Sequence, residues 1–120
     1  MLKEKKDSHV ITFNDKVYSC STSIAMALIG GKWKSVIMVH LMYGKKRYNE
    51  LKKLIPTITE RTLSLQLKQL EDDGLISRKV YSDKPPLKVE YNLTDFGKTA
   101  IPTLKSIAEW GNQVIKNQEV

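Results

Sequence analysis

Apolar residues in this chain recur at two periods. Through most of residues 24–115 the spacing is three or four, as in amphipathic helices. Between residues 76 and 93 it falls to two, as in strands with one covered face. Ser21, Thr22 and Ser23 are each candidate N-caps for a first short helix over Ile24–Ile29, which Gly30-Gly31 ends. A second helix is expected from near Lys32. Trp33, Val36, Ile37, His40 and Leu41 fall at helical spacing there, and Gly44 closes it. Trp33 is expected to anchor the core and His40 to be partly buried. Tyr48, Leu51, Leu54 and Ile55 form the apolar face of a third helix, stopped by Pro56. Ile58 is expected to plug the corner that follows.

The fourth helix starts at Thr59, or at Thr57 if Thr57 and Glu60 form a capping box. Leu63, Leu67 and Leu70 sit at i, i+4 and i+7 and predict its buried stripe. Arg61, Ser64, Leu65, Lys68 and Gln69 lie away from that stripe. Glu71-Asp72-Asp73 crowds the C-terminal end, where negative charge opposes the helix dipole. Gly74 supplies the exit. Ile76–Tyr81 and Lys88–Leu93 predict two strands, with Val89, Tyr91 and Leu93 on the covered face and Asp83-Lys84-Pro85-Pro86 at the tip.

Thr94-Asp95 is expected to cap a last helix, with Pro102 kinking it from inside. Ile101, Leu104, Ala108, Gly111 and Ile115 form a seam along it, and Ile107, Trp110 and Val114 add apolar surface beside that seam. This exceeds what a core of this size needs. Burial by a second copy explains it economically, and folding back onto the same domain is the alternative.

At the other end, residues 1–9 are charged, lack periodicity and are expected to form a mobile arm. Val10–Phe13 and Lys16–Ser19 flank Asn14-Asp15 as a candidate hairpin. Residues 1–19 thus read as an N-terminal arm with a possible short hairpin, and residues 20–120 as one domain with a C-terminal dimerisation helix. Helix, turn, helix and a two-stranded wing, in that order, make a DNA-reading unit. The expected fold is mainly α with a small β wing: a winged helix-turn-helix, dimerised through terminal helices.

Charge supports that reading through its placement. The 120 residues carry a net charge of +7 with a pI near 9.5, which favours an acidic partner. Lys45-Lys46-Arg47 forms a dense basic turn before the third helix, and Lys79, Lys84 and Lys88 surround the wing. The candidate contacts to double-stranded DNA are therefore Lys45, Lys46 and Arg47; Thr59, Arg61, Thr62, Ser64, Leu65 and Lys68 on the fourth helix; and Lys79 and Lys84 on the wing. The acidic end of the fourth helix is expected to face away from DNA.

Other classes find little support. No apolar run approaches a membrane span, and the first residues are too polar for a signal peptide, so a cytoplasmic protein without membrane contact is expected. The single cysteine, Cys20, permits neither a disulfide framework nor a cysteine-based zinc site. No metal or other cofactor is expected. Cys20 and His40 could be written as nucleophile and base, but no orienting partner or oxyanion element stands beside them, so no enzyme is expected. A thiol just ahead of a helix is shifted toward thiolate, which makes Cys20 a candidate redox residue. A winged helix that has lost DNA binding and docks protein is the alternative function; a salt-dependent shift of DNA separates the two.

The pieces Cys20, Ile29-Gly30-Gly31-Lys32-Trp33, Arg47-Tyr48-Asn49-Glu50-Leu51, Leu67, Leu70-Glu71-Asp72-Asp73-Gly74-Leu75-Ile76, Arg78, Pro85-Pro86, Val89-Glu90-Tyr91, Leu93-Thr94, Gly97, Pro102 and Trp110 occur together and in order. With them the chain resembles the HxlR-type family of winged helix-turn-helix transcriptional regulators, relatives of the MarR group. The resemblance implies a homodimer on a pseudo-palindromic operator, the fourth helix in the major groove and the wing on flanking DNA. It also implies sensing of oxidants or electrophiles in some members through the cysteine at the position of Cys20. Ser21 replaces the proline that often follows that cysteine, and Leu87 lengthens the wing tip by one residue. Neither the operator nor any small-molecule effector follows from these residues.

Overall fold

The computed structural model describes residues 3–5, 10–82, 84–85 and 88–118. The chain opens with three strands, β1 (Lys3–Lys5), β2 (Val10–Phe13) and β3 (Lys16–Tyr18), in an antiparallel sheet of order β1-β2-β3. Asn14 and Asp15 both have left-handed backbone, with φ of 51° and 62°, as a two-residue hairpin requires. The expected mobile arm is thus in part a strand: Lys3, Glu4 and Lys5 face Thr12, Ile11 and Val10 across the ladder. Residues 6–9 lie outside the described residues.

α1 (Ser21–Ile29) takes the hydroxyl run expected to cap it into its first turn. Its N-cap is Cys20, with extended backbone, and Ser23 closes a capping box back to it. α2 (Lys34–Leu41) starts after Trp33, which packs half-buried against the core under the Lys32 ammonium at 4.9 Å. Ile37, Met38 and Leu41 face inward; Val36, expected on that face, is 38% exposed. α1 and α2 meet at 72°, and no single helix among the described residues is long and apolar enough to cross a membrane.

The basic stretch after Gly44 is a strand and not a turn. β4 (Lys46–Arg47) pairs with β6 (Lys88–Leu93), which pairs with β5 (Ile76–Ser82), so the wing is a three-stranded sheet of order β4-β6-β5. α3 (Tyr48–Leu54) follows directly and buries Leu51, while Leu54 is exposed, contrary to its expected place on the apolar face. α4 (Glu60–Asp72) is capped by Thr59, whose hydroxyl accepts the Thr62 N–H at 3.1 Å, and this removes Thr57 as the start.

The last helical region is two helices. α5 (Asp95–Lys98) is a single capped turn and α6 (Ile101–Gln118) starts afresh. Pro102 therefore sits in a first turn, where a missing N–H leaves no ladder bond unmade, and does not kink a longer helix. The junction is tight. Thr94 Oγ1 donates to the Gly74 carbonyl at 2.6 Å and accepts the Gly97 N–H at 3.0 Å, and Thr94 N–H donates to the Leu75 carbonyl at 3.1 Å. A Cβ on Gly97 would overlap that Leu75 carbonyl oxygen.

The core lies where these parts meet. α4 contributes Leu63, Leu67 and Leu70, α2 its inward face, the wing Ile76, Tyr91 and Leu93, and α6 Leu104. Because the Gly97 contact is with backbone, relief requires moving β5 away from α5. Gly97→Ala is expected to destabilise the fold by roughly 3 kcal/mol, read as a lower urea midpoint at unchanged slope.

Candidate nucleic-acid interface

The outer surface of α4 follows from its inner one. With Leu63, Leu67 and Leu70 pointing to the core, Arg61, Leu65 and Lys68 point outward, and Leu65 is left 53% exposed. Arg61 enters none of the ion pairs found among the described residues. Lys68 does: its ammonium lies 2.8 Å from Asp72 Oδ1, one turn on. That hydrogen bond and charge hold its pKa above the ordinary lysine value. The acidic end of α4 is thus partly neutralised from within the helix.

The hydroxyls expected to face a partner are engaged. Thr59 Oγ1 caps the helix and donates to Thr62 Oγ1 at 2.9 Å, and Thr62 is half-buried. Ser64 Oγ lies 3.2 Å from Tyr48 Oη, which in turn donates to the Glu60 carbonyl at 3.0 Å. Tyr48 was expected only as an apolar residue of α3. No periodicity reveals that its hydroxyl spans to the next helix.

A second basic surface runs along the outer part of the wing. Lys45, Arg47, Lys84 and Lys88 line a groove of about 680 Å³ together with Tyr81, Ser82, Pro85 and Glu90. β4 brings Lys45 and Arg47 there, since Arg47 lies directly opposite Glu90, and Lys79 of β5 lies opposite Glu90 on the other side. Lys45 Nζ is 3.9 Å from Glu90 Oε1; the lysine side chain is 60% exposed and the glutamate 16%. A hydrogen bond to Glu90, with burial adding, pushes the Tyr81 phenol above its ordinary pKa. Lys79 is not free at the wing edge: its ammonium stacks 4.8 Å over the Tyr81 ring. Lys46 is half-buried, and its ammonium turns back to the Gly44 carbonyl at 3.3 Å. The Arg47 N–H donates to Glu50 Oε1 at 2.9 Å, capping α3. Of the tip, Lys84 and Pro85 are described and exposed, whereas the longer turn expected from Leu87 lies outside the described residues.

The seam expected on α6 divides. Leu104 is completely buried and Ile101 packs half-buried, both against this chain's own core. Both occupy the inward face of the first α6 turn, beside α2. Ala108 is exposed and Gly111 half-buried. The exposed apolar stripe is Ile107, Trp110, Val114 and Ile115, at 42%, 69%, 44% and 58% exposure.

Cys20 is exposed and free. The Ser23 N–H aimed at its sulfur holds the thiol pKa below its ordinary value; desolvation opposes this, and Ser19 and Thr22 add to the lowering. Burial, with Lys46 nearby, lowers the pKa of half-buried His40. Among the described residues no cluster of three His, Cys, Asp or Glu side chains could hold a metal.

The HxlR-like helix-turn-helix family model matches residues 28–119. The HTH-type transcriptional regulator YdeP of Bacillus subtilis (strain 168) is 48% identical over 100 residues, which is 83% of this chain and 77% of that protein. The solved redox regulator HypR is similar in both its states. Its oxidised form is 46% identical with a TM-score of 0.74, over 78% of this chain and 96% of that one. Its reduced form is 43% identical with a TM-score of 0.77, over 83% and 98%.

Proposed function

This chain belongs to the HxlR-like helix-turn-helix family of transcriptional regulators, and from that premise we propose that it binds double-stranded DNA as a homodimer on a pseudo-palindromic operator. α4 enters the major groove, and the basic groove of the wing takes backbone phosphate. The carrying observation is the outward face of α4, with Arg61 and Leu65 uncovered, beside four cations gathered around one carboxylate. A guanidinium with no ion-pair partner among the described residues can reach the N7 and O6 of guanine, and an exposed leucine can meet a thymine methyl. Lys45, Arg47, Lys84 and Lys88 supply charge with no fixed geometry, which suits phosphate. Such a protein works beside the chromosome, in the cytoplasm.

Pairing two copies through the apolar stripe of α6 would cover the four exposed side chains, and a two-half-site operator requires the two α4 helices of such a dimer to stand one turn of DNA apart. Cys20 adds a response. Its thiolate-biased sulfur lies at the start of α1, and HypR, a redox regulator solved in two states, shares most of this chain's fold. With one cysteine per chain, oxidation yields a bridge between subunits or a mixed disulfide with a small thiol.

Three outcomes are expected. Arg61→Ala weakens operator binding by about 1–3 kcal/mol and leaves random DNA nearly untouched, whereas Lys84→Gln weakens both alike and flattens the salt slope by about one. Gel-shift titrations at several salt concentrations check this, and equal loss on both DNAs for Arg61→Ala would remove α4 from the groove. Trp110→Asp places a charge within the apolar stripe and is expected to give monomers by light scattering; an intact dimer would put the interface elsewhere. Diamide is expected to change operator affinity of the wild type, reversibly with reductant, and to leave Cys20→Ser unaffected. Constant affinity after proven thiol oxidation would end the redox reading.

A further inference from the structure

We infer that Tyr48 is a specificity-positioning residue: it takes up the hydroxyl hydrogen of Ser64 and so makes that serine an acceptor-only reader of DNA. The inference rests on α4 lying in the major groove. A tyrosine hydroxyl has one hydrogen, and a carbonyl oxygen can only accept. Tyr48 Oη lies 3.0 Å from the Glu60 carbonyl, so its hydrogen is committed there. The 3.2 Å contact between Tyr48 Oη and Ser64 Oγ is then made by the serine hydrogen.

The usual alternative for a serine inside a helix is to donate to the carbonyl four residues earlier. For Ser64 that carbonyl is Glu60, whose two lone pairs are taken by the helix ladder and by Tyr48. Ser64 is exposed, and what it shows to the outside is lone pairs alone.

A free serine hydroxyl donates or accepts and therefore discriminates poorly between base edges. Ser64 held in this way cannot donate to a phosphate oxygen, to guanine O6 or N7, or to thymine O4. Its partner in the groove must be a donor, and in the major groove the donors are the amino groups of cytosine and adenine. Tyr48 touches no base in this arrangement; it acts through Ser64.

The test is selection from duplexes randomised over both half-sites, using wild type, Tyr48→Phe, Ser64→Ala and the double variant, with sequencing of the bound pools. Wild type is expected to show one position per half-site that prefers an amino-bearing base edge by about fivefold, the worth of one hydrogen bond. Ser64→Ala flattens that position. Tyr48→Phe, which keeps the ring packing, leaves the serine hydrogen shared between the freed Glu60 carbonyl and acceptors outside, so the preference there falls without vanishing and the Arg61-dependent positions stay as they were. In the Ser64→Ala background Tyr48→Phe changes nothing further. A Tyr48→Phe pool that keeps the full preference overturns the inference, as does a change spread evenly over all positions, which would mark a merely structural role. A wild-type pool without preference anywhere overturns the placement of α4 as well, so the two failures are distinct.

Discussion

Burial of Leu63, Leu67 and Leu70, each at most 1% exposed, decides what α4 can show to anything outside the domain. Each such leucine is worth roughly 1.5–3 kcal/mol when removed from water, so the helix cannot roll about its axis to offer another face. With the roll fixed, Arg61 and Leu65 point outward, Ser64 falls to the α3 side within reach of Tyr48, and Lys68 stands one turn above Asp72. The other parts reinforce that setting. Thr59 closes the start of the helix, and α2, α3, β5 and β6 supply the surfaces on which the leucines rest.

Most of this architecture was legible because it rests on local periodicity and local chemistry. The α4 stripe, the Gly74 exit with φ of 79° and the wing strands each leave a mark within a few residues. What escaped depends on distant partners. Lys46-Arg47 becomes a strand only because β6, more than forty residues on, offers an edge. Lys3–Lys5 becomes one through β2. Leu104 and Trp110 both fit an apolar spacing of three or four. Only the packing of α6 on α2 sends the first inward and the second outward, and this is why the expected seam mixed core and surface residues. Cysteine is not a usual N-cap type, so Ser21, Thr22 and Ser23 carry the stronger local signal although Cys20 is the cap itself.

Charge in the candidate site is tempered in two places. Asp72 draws off Lys68 at the far end of α4, and Glu90 stands among the wing cations with Lys45 at 3.9 Å. Glu90 is opposite both Arg47 and Lys79 in the sheet, so one carboxylate stands between cations of both neighbouring strands. A surface of cations alone would grip any polyanion. Carboxylates set among them keep long-range attraction moderate and leave more of the discrimination to contacts that depend on fit.

The ladder between β5 and β6 slips at its outer end: Val80 faces Val89, but the next pairing is Ser82 with Lys88, leaving Tyr81 as the extra residue of a bulge. Below the bulge the strands are pinned by Ile76, Tyr91 and Leu93, and the turn into α5 has no spare room at Gly97. Above it, no buried side chain among the described residues fixes the register. The wing is therefore divided into a stem that tolerates no change of length and an outer segment that can be lengthened, shortened or recomposed without disturbing the core. In evolutionary terms the bulge is a seam between inherited and adjustable parts, and the reach of the wing can diverge between relatives while the helices beneath it stay the same.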